Sequence, residues 1–265
     1  MEKKLPGVFS AQKKDGTVYY RSSITHKQKH ISLGSYDTSS KAFAAYLEAS
    51  SLILDKTLSL KDYSDHRILS FAKWVSLINY RDNGIYISTP IYLHPRYFEY
   101  ILSPDLILQF DIDDLVYYSK HKIMLRGRHF FVADYGMQVN IANRYGIKNY
   151  PVMGRDYRFV NGAPYDFRYE NIEIFNTYHG VFKKNTKKGI RYVSRIHING
   201  NYTIGTYTTD TEAAIAYNKA IDILKKAGVT KNFTPNYLDG LSPSAYADLY
   251  TKIHISPKIT NYRLE

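Results

Sequence analysis

The chain runs to 265 residues, lacks cysteine, and sets 36 Lys and Arg against 24 Asp and Glu, a formal charge of +12. These numbers exclude disulfides and thiolate zinc sites and fit a reducing cytoplasm, and no apolar run approaches the roughly 18 residues of a membrane span. The opening Met1-Glu2-Lys3-Lys4-Leu5-Pro6 passes straight into polar strand pattern, so no secretory signal is expected. The basic excess points to a polyanionic partner, drawn in by long-range attraction and held through counterion release.

In chain order, Gly7-Val8-Phe9, Tyr20-Arg21-Ser22-Ser23-Ile24 and Leu33-Gly34-Ser35-Tyr36 carry a period-two pattern. After Thr38 it gives way to helical spacing through Ala42-Phe43-Ala44-Ala45-Tyr46. Three short antiparallel strands and a helix are expected, with Tyr20, Ser22 and Ile24 on one side of the second strand and Tyr19, Arg21, Ser23 and Thr25 on the other. Lys27, Lys29 and His30 fall in its hairpin. The spacing of Ile68, Leu69, Ala72, Trp74, Val75 and Ile78 predicts a helix from Asp65 to Tyr80, ended by Arg81-Asp82-Asn83-Gly84. Residues 85–93 and 121–141 read as strands, and Tyr97 to Leu102, bounded by Pro95 and Ser103-Pro104, as a short helix. Asp111, Asp113 and Asp114 precede Leu115-Val116 as a helix start favoured by capping and the dipole, not as a cation site. Arg126, Arg128 and His129 read as a basic turn, either solvated or on a phosphate, before the strand-like Phe130-Phe131-Val132-Ala133.

From Gly180 the first pattern returns: Gly180-Val181-Phe182, Tyr192-Val193-Ser194-Arg195-Ile196, Ile204-Gly205-Thr206-Tyr207 and Ala213-Ala214-Ile215-Ala216-Tyr217. It is an internal repeat of about 50 residues. Asn199-Gly200 predicts a tight primed turn with positive φ. Alternation places Tyr192, Ser194, Ile196 and Ile198 under the helix, which packs Ala213, Ala216, Tyr217, Ala220 and Leu224 at i, i+3, i+4 spacing. Arg191, Val193, Arg195 and His197 then face outward. Lys183-Lys184-Asn185-Thr186-Lys187-Lys188 reads as a lysine-rich loop suited to phosphate. Residues 239–265 form a tail with a helix from Ser242 to Lys252, expected either to dock on the second repeat or to support a homodimer.

Gly-Val-Phe, aromatic-x-Ser-x-Ile, apolar-Gly-x-Tyr-x-Thr and the Ala-rich helix resemble the AP2 DNA-binding domain of plant transcription factors and phage homing endonucleases, with Tyr20 and Tyr192 where that family usually has tryptophan. The resemblance implies a three-stranded sheet in the major groove of double-stranded DNA. Its strand contacts, carried over, are Arg21 and Ser23 in the first copy and Arg195 in the second, with Val193 as an apolar neighbour. Lys27, Lys29, Lys183, Lys184, Lys187, Lys188, Arg191 and His197 complete the expected DNA-binding set.

Between the repeats, Asn161-Gly162, Asp166, Arg168 and Asn171-Ile172 resemble the tail of the HNH nuclease motif as phage homing endonucleases write it. That chemistry requires a histidine base and ligands for one divalent cation. Counting back from Asn171, the aspartate position is Arg158, the histidine position is Phe159, and the upstream histidine corresponds to Asn143. No catalytic residue, metal or cofactor is therefore expected. The reading is an α+β chain with AP2-like units at 1–55 and 179–238 flanking a packed central mixed α/β HNH-like domain at 56–178, with a helical tail at 239–265. The function it implies is sequence-specific binding of double-stranded DNA, as in a repressor derived from an inactivated homing endonuclease. The alternative is an active HNH-type nuclease using Asp156, Asp166, Asn171 and His179.

Overall fold

A computed structural model describes residues 5–148 and 151–263. The chain is α+β, and it divides into two compact units, Met1–Asn140 with Ala163–Tyr169, and Ile141–Gly162 with Glu170–Glu265. The expected central domain is thus not one packed body: its residues are shared between the units.

The first unit opens with the antiparallel sheet β1 (Val8–Gln12), β2 (Val18–His26) and β3 (Lys29–Tyr36), followed by α1 (Ser39–Leu54). The Thr38 hydroxyl caps α1 by accepting from the Lys41 amide, and the helix buries Ala42, Ala45, Ala49 and Leu52. Their other covering is α2 (Phe71–Asn83): Ile24, Ile31, Leu33, Ala45 and Leu52 share one core with Trp74, Leu77 and Ile78. A boundary at residue 55 would cut through this core, so the first repeat is not a domain by itself. The α2 helix starts six residues later than the apolar spacing suggested, because the Glu48 carboxylate takes the amides of Ile68 (3.0 Å) and Leu69 (2.8 Å) and Ser70 supplies the cap.

A second sheet joins β4 (Ile91–Leu93), β5 (Tyr97–Ser103) and β6 (Leu106–Asp111), followed by α3 (Leu115–Lys120). The helix expected at Tyr97 to Leu102 is strand β5. So short a segment cannot nucleate a helix alone, whereas its aromatic residues pair well across a sheet, Phe98 with Phe110 and Tyr100 with Leu108. The strand expected over 85–93 forms only at Ile91–Leu93. Asp111 does not cap by its side chain; its carboxylate accepts the Tyr169 amide at 2.7 Å. A third sheet, β7 (Met124–Arg126), β8 (His129–Asp134) and β9 (Met137–Asn140), completes the strands of this unit. Residues 163–169 return to it through Gln109, whose amide donates to the Tyr165 carbonyl and whose carbonyl accepts from Phe167.

The second unit contains the hairpin β10 (Tyr157–Phe159) and β11 (Ile172–Ile174), then the sheet β12 (Val181–Thr186), β13 (Gly189–His197) and β14 (Asn201–Tyr207) under α4 (Asp210–Lys226). Thr209 and Glu212 form a reciprocal capping box at the start of α4. The tail contains α5 (Pro243–Lys252) and α6 (Pro257–Thr260), and it docks on its own repeat. Ile259 is fully buried in the core with Ile204, Ile221 and Leu224, the Ser256 amide donates to the Ile204 carbonyl (2.7 Å), and Lys219 Nζ donates to the carbonyls of Tyr250 and Ile253.

The two repeats match in detail. In each, the glycine before β1 or β12 has φ near +70°, and its carbonyl accepts the amide of the central strand, Ser23 to Gly7 at 2.9 Å and Arg195 to Gly180 at 2.7 Å. A Cβ on either glycine would strike a helix tyrosine ring, Tyr46 or Tyr217, and the carbonyl of Ser23 or Arg195. Each sheet also has one extra residue on its third strand, Leu33 or Ile204, and both side chains are buried. The hairpin tips differ, and against expectation. Neither Asn199 nor Gly200 adopts positive φ, since Ile198–Gly200 closes a three-residue loop, whereas Lys27 and Gln28 take +43° and +64°.

Two substitutions test this geometry by urea unfolding. Gly180→Ala is expected to cost about 2–3 kcal/mol, from a strained φ plus a clash with Tyr217. Replacing Lys27-Gln28 by Asn-Gly is expected to stabilise by about 0.5–1 kcal/mol, because those residues tolerate the φ values already present.

Candidate nucleic-acid interface

Because α4 covers Tyr192, Ser194 and Ile196, the residues that alternate with them on β13 face away from the helix: Arg191, Val193, Arg195 and His197. Their cross-strand partners extend that face. Phe182 lies opposite Val193 and Lys184 opposite Arg191 on β12, while Thr206, Thr203 and Asn201 lie opposite Val193, Arg195 and His197 on β14. Lys184, Arg195, His197, Asn201, Thr203 and Thr206 are exposed and Arg191 is half-buried. Val193, expected as an exposed apolar neighbour, is only 7% exposed between Phe182 and Thr206. The Arg195 and Arg155 guanidinium carbons lie 5.7 and 5.5 Å from the Phe182 ring centroid, within reach of a cation–π interaction. His197 Nδ1 lies 3.1 Å from Asn201 Oδ1. Beside the sheet a groove is lined by Arg155, His179, Phe182, Arg195, His197 and Lys231.

The expected lysine loop is mostly strand. Lys183 and Lys184 belong to β12, so alternation sends them to opposite sides, and only Lys187-Lys188 form the turn to β13.

The first repeat presents a different surface. Arg21 is exposed, donating to the Tyr19 hydroxyl at 2.9 Å, and Lys27 occupies the hairpin tip. Lys29 Nζ lies 5.9 Å from the Tyr86 ring centroid. Ser23, expected to contact DNA, is 8% exposed: its side chain is too short to leave the sheet, whereas the equivalent Arg195, with the same amide tie, reaches solvent. Where the second repeat has Lys184, Arg191, Arg195 and His197, strand register puts Ala11, Tyr19, Ser23 and Thr25 in the first.

The HNH-like positions have structural partners. Arg158 forms a cross-strand ion pair with Glu173 (2.7 Å), and Phe159 is a core residue at 8% exposure. Asn171 Oδ1 accepts the Asn161 amide at 2.8 Å, and the Asn143 carbonyl accepts the Gly146 amide. Asp166 is buried and held in a two-point contact by Arg168, whose guanidinium also lies 5.3 Å from the Tyr97 ring centroid. Asp156 accepts from Arg155 Nη2 (2.6 Å), the Val152 amide (2.8 Å) and Asn176 Nδ2 (3.0 Å). Burial pushes its carboxyl upward, but these hydrogen bonds, the Arg155 guanidinium foremost, outweigh it and hold Asp156 below the usual carboxylate range. Of the alternative metal-site residues, Asp156, Asn171 and His179 belong to the second unit and Asp166 to the first. Among the described residues, no three His, Asp or Glu side chains gather as a metal-binding group.

Sequence alternation on β13 located Arg191, Arg195 and His197. Phe182, Asn201, Thr203 and Thr206 were missed, although the same alternation on the flanking strands would have found them once register was known. Arg155 and Lys231 carry no sequence signal, since only folding brings them beside the sheet. No family model, curated protein or solved structure matches the chain.

Asp156→Ala should therefore act as a stability mutation. It is expected to lower unfolding free energy by about 1–3 kcal/mol by leaving donors unpaired, with the same loss measured in magnesium and in a chelator. A loss seen only with magnesium would instead make Asp156 a metal ligand.

Proposed function

We propose that this chain is a non-enzymatic, sequence-specific double-stranded DNA-binding protein of the repressor or regulator kind, and that it reads DNA with the outward face of β12, β13 and β14. One observation carries the reading: this face gathers Lys184, Arg191, Arg195 and His197 with hydrogen-bonding Asn201, Thr203 and Thr206, while none of the three strands contains Asp or Glu. Such a ribbon of strands fits the major groove, where arginine recognises guanine by two parallel hydrogen bonds and threonine contacts base edges or the thymine methyl. The strand order and helix of both repeats, together with the sequence resemblance to AP2 domains, support it. The Arg158–Glu173 pair and the buried Phe159 support an inert nuclease remnant over the alternative of an active endonuclease.

The test begins by selecting a preferred site from random duplexes with the full chain. Arg195→Ala is expected to weaken binding to that site by roughly 5- to 150-fold, the equivalent of about 1–3 kcal/mol, and to leave binding to unrelated duplex nearly unchanged. Lys187→Ala should weaken both alike and lower the salt slope by about one unit. Identical behaviour of the two variants would overturn the assignment of the reading face. Arg21→Ala is expected to have the smaller effect; deletion of the whole first repeat would strip α2 of its covering and so reads stability, not binding. Supercoiled plasmid carrying the site should stay intact with magnesium, manganese or zinc; site-dependent nicking abolished by Asn171→Ala would restore the endonuclease reading.

A further inference from the structure

The hairpin joining β8 to β9 turns in two residues, Tyr135-Gly136, with φ of +47° and +76°. Asn, Asp or Gly is the usual occupant of such positions, and a tyrosine there is uncommon. The Tyr135 residue is 96% exposed, and beside it Met137 is 65% exposed. Among the described residues Tyr135 has no hydrogen bond or ring contact, so neither folding preference nor packing accounts for an aromatic ring at this tip.

The sheet behind the tip is sided. Phe130 and Val132 face the core, where Phe130 meets Tyr165 and Phe167 edge to face. Their alternates, His129, Phe131 and Ala133, face outward with Arg126 and Gln138 as cross-strand partners. Arg126 reaches across β8 to donate to Gln138 Oε1 at 3.0 Å, which carries its charge over that outward face. Arg128 in the β7–β8 turn and Lys122 are exposed as well. The only acid of the three strands is Asp134, which faces Tyr117 and His121 at 3.4 and 3.5 Å. An aromatic at one exposed end of a sheet whose other end is basic, with Arg126 extended back to Gln138, is a combination that can hold a nucleic-acid backbone while stacking on a base.

We propose that this three-stranded sheet is a second DNA-binding element: Arg126, Arg128 and His129 at the β7–β8 end hold the phosphate backbone, and Tyr135 at the β8–β9 tip inserts against a base of the bound duplex, unstacking one step. The inference rests on the duplex-binding reading above. It is tested in the full chain with Tyr135→Asn, which suits the turn better than tyrosine, and with Tyr135→Trp, which keeps the ring. Tyr135→Asn is expected to melt at or above the wild-type temperature while losing about tenfold in affinity for the selected duplex, the order of one lost base–aromatic stack. Tyr135→Trp should bind as wild type. Duplexes carrying 5-iodouracil at successive positions should photocrosslink to the peptide containing Tyr135 at one step and not in Tyr135→Asn. Failure of the wild type to bind any duplex above background would overturn the duplex reading and this inference with it. Wild-type binding that Arg195→Ala weakens, with Tyr135→Asn unchanged in affinity and no crosslink at Tyr135, would overturn this inference alone.

Discussion

Each repeat is organised by one close contact, in which a glycine backbone is pressed between a helix tyrosine and the middle strand. Gly7 meets Tyr46 and Ser23; Gly180 meets Tyr217 and Arg195. The contact settles three things together: where the first strand begins, how near the helix lies, and which residue of the central strand has its amide tied back. The third strand then accommodates its extra residue, Leu33 or Ile204, by burying it, so the polar residues on either side keep their places on the outer face. Chemistry on that face is free to vary because the constraint lies on the other.

Variation is what the two copies display. The same scaffold presents Arg195 and His197 in one and a buried Ser23 and an exposed Thr25 in the other. Their surroundings diverge as well: the first helix is covered by α2 and the second by the chain's own C-terminal segment. A repeat of this size cannot bury both faces of its helix by itself, and each copy recruits whatever lies next in sequence. The packing of Ile24 and Leu52 with Trp74 puts the first repeat and α2 in a single core.

Much of this was legible in the residues, and the misses have physical causes. Both strand-strand-strand-helix units, the buried face of α4 and the outward Arg195 followed from periodicity alone. The strand at Tyr97–Ser103 was lost because a short apolar run flanked by proline lacks enough length to separate the two periods. The early end of the α2 pattern was lost because Glu48, distant in sequence, captures the amides of Ile68 and Leu69. Asn199-Gly200 misled because loop length, set by the pairing of His197 with Asn201, overrode the local preference of the dipeptide. Nothing in the sequence announces that Asp156 would be tied by Arg155 and Asn176, since those bonds exist only after the hairpin forms.

The bond from Ser256 to the Ile204 carbonyl also bears on the sheet edge that another chain could pair with. A sheet edge with open backbone groups invites another chain to add a strand. On β14 that invitation is withdrawn at its centre, where the C-terminal segment occupies the bulge carbonyl and Tyr207 reaches to His254. On the opposite edge, β12, the Lys183 amide is taken by Asn176 Oδ1 at 2.8 Å, and the strand carries Lys183 and Lys184 and leads into Lys187 and Lys188. Two such edges would bring like charges together, and an approaching strand would have to displace them from water. The lysines that suit phosphate thus also act as gatekeepers against edge-to-edge aggregation.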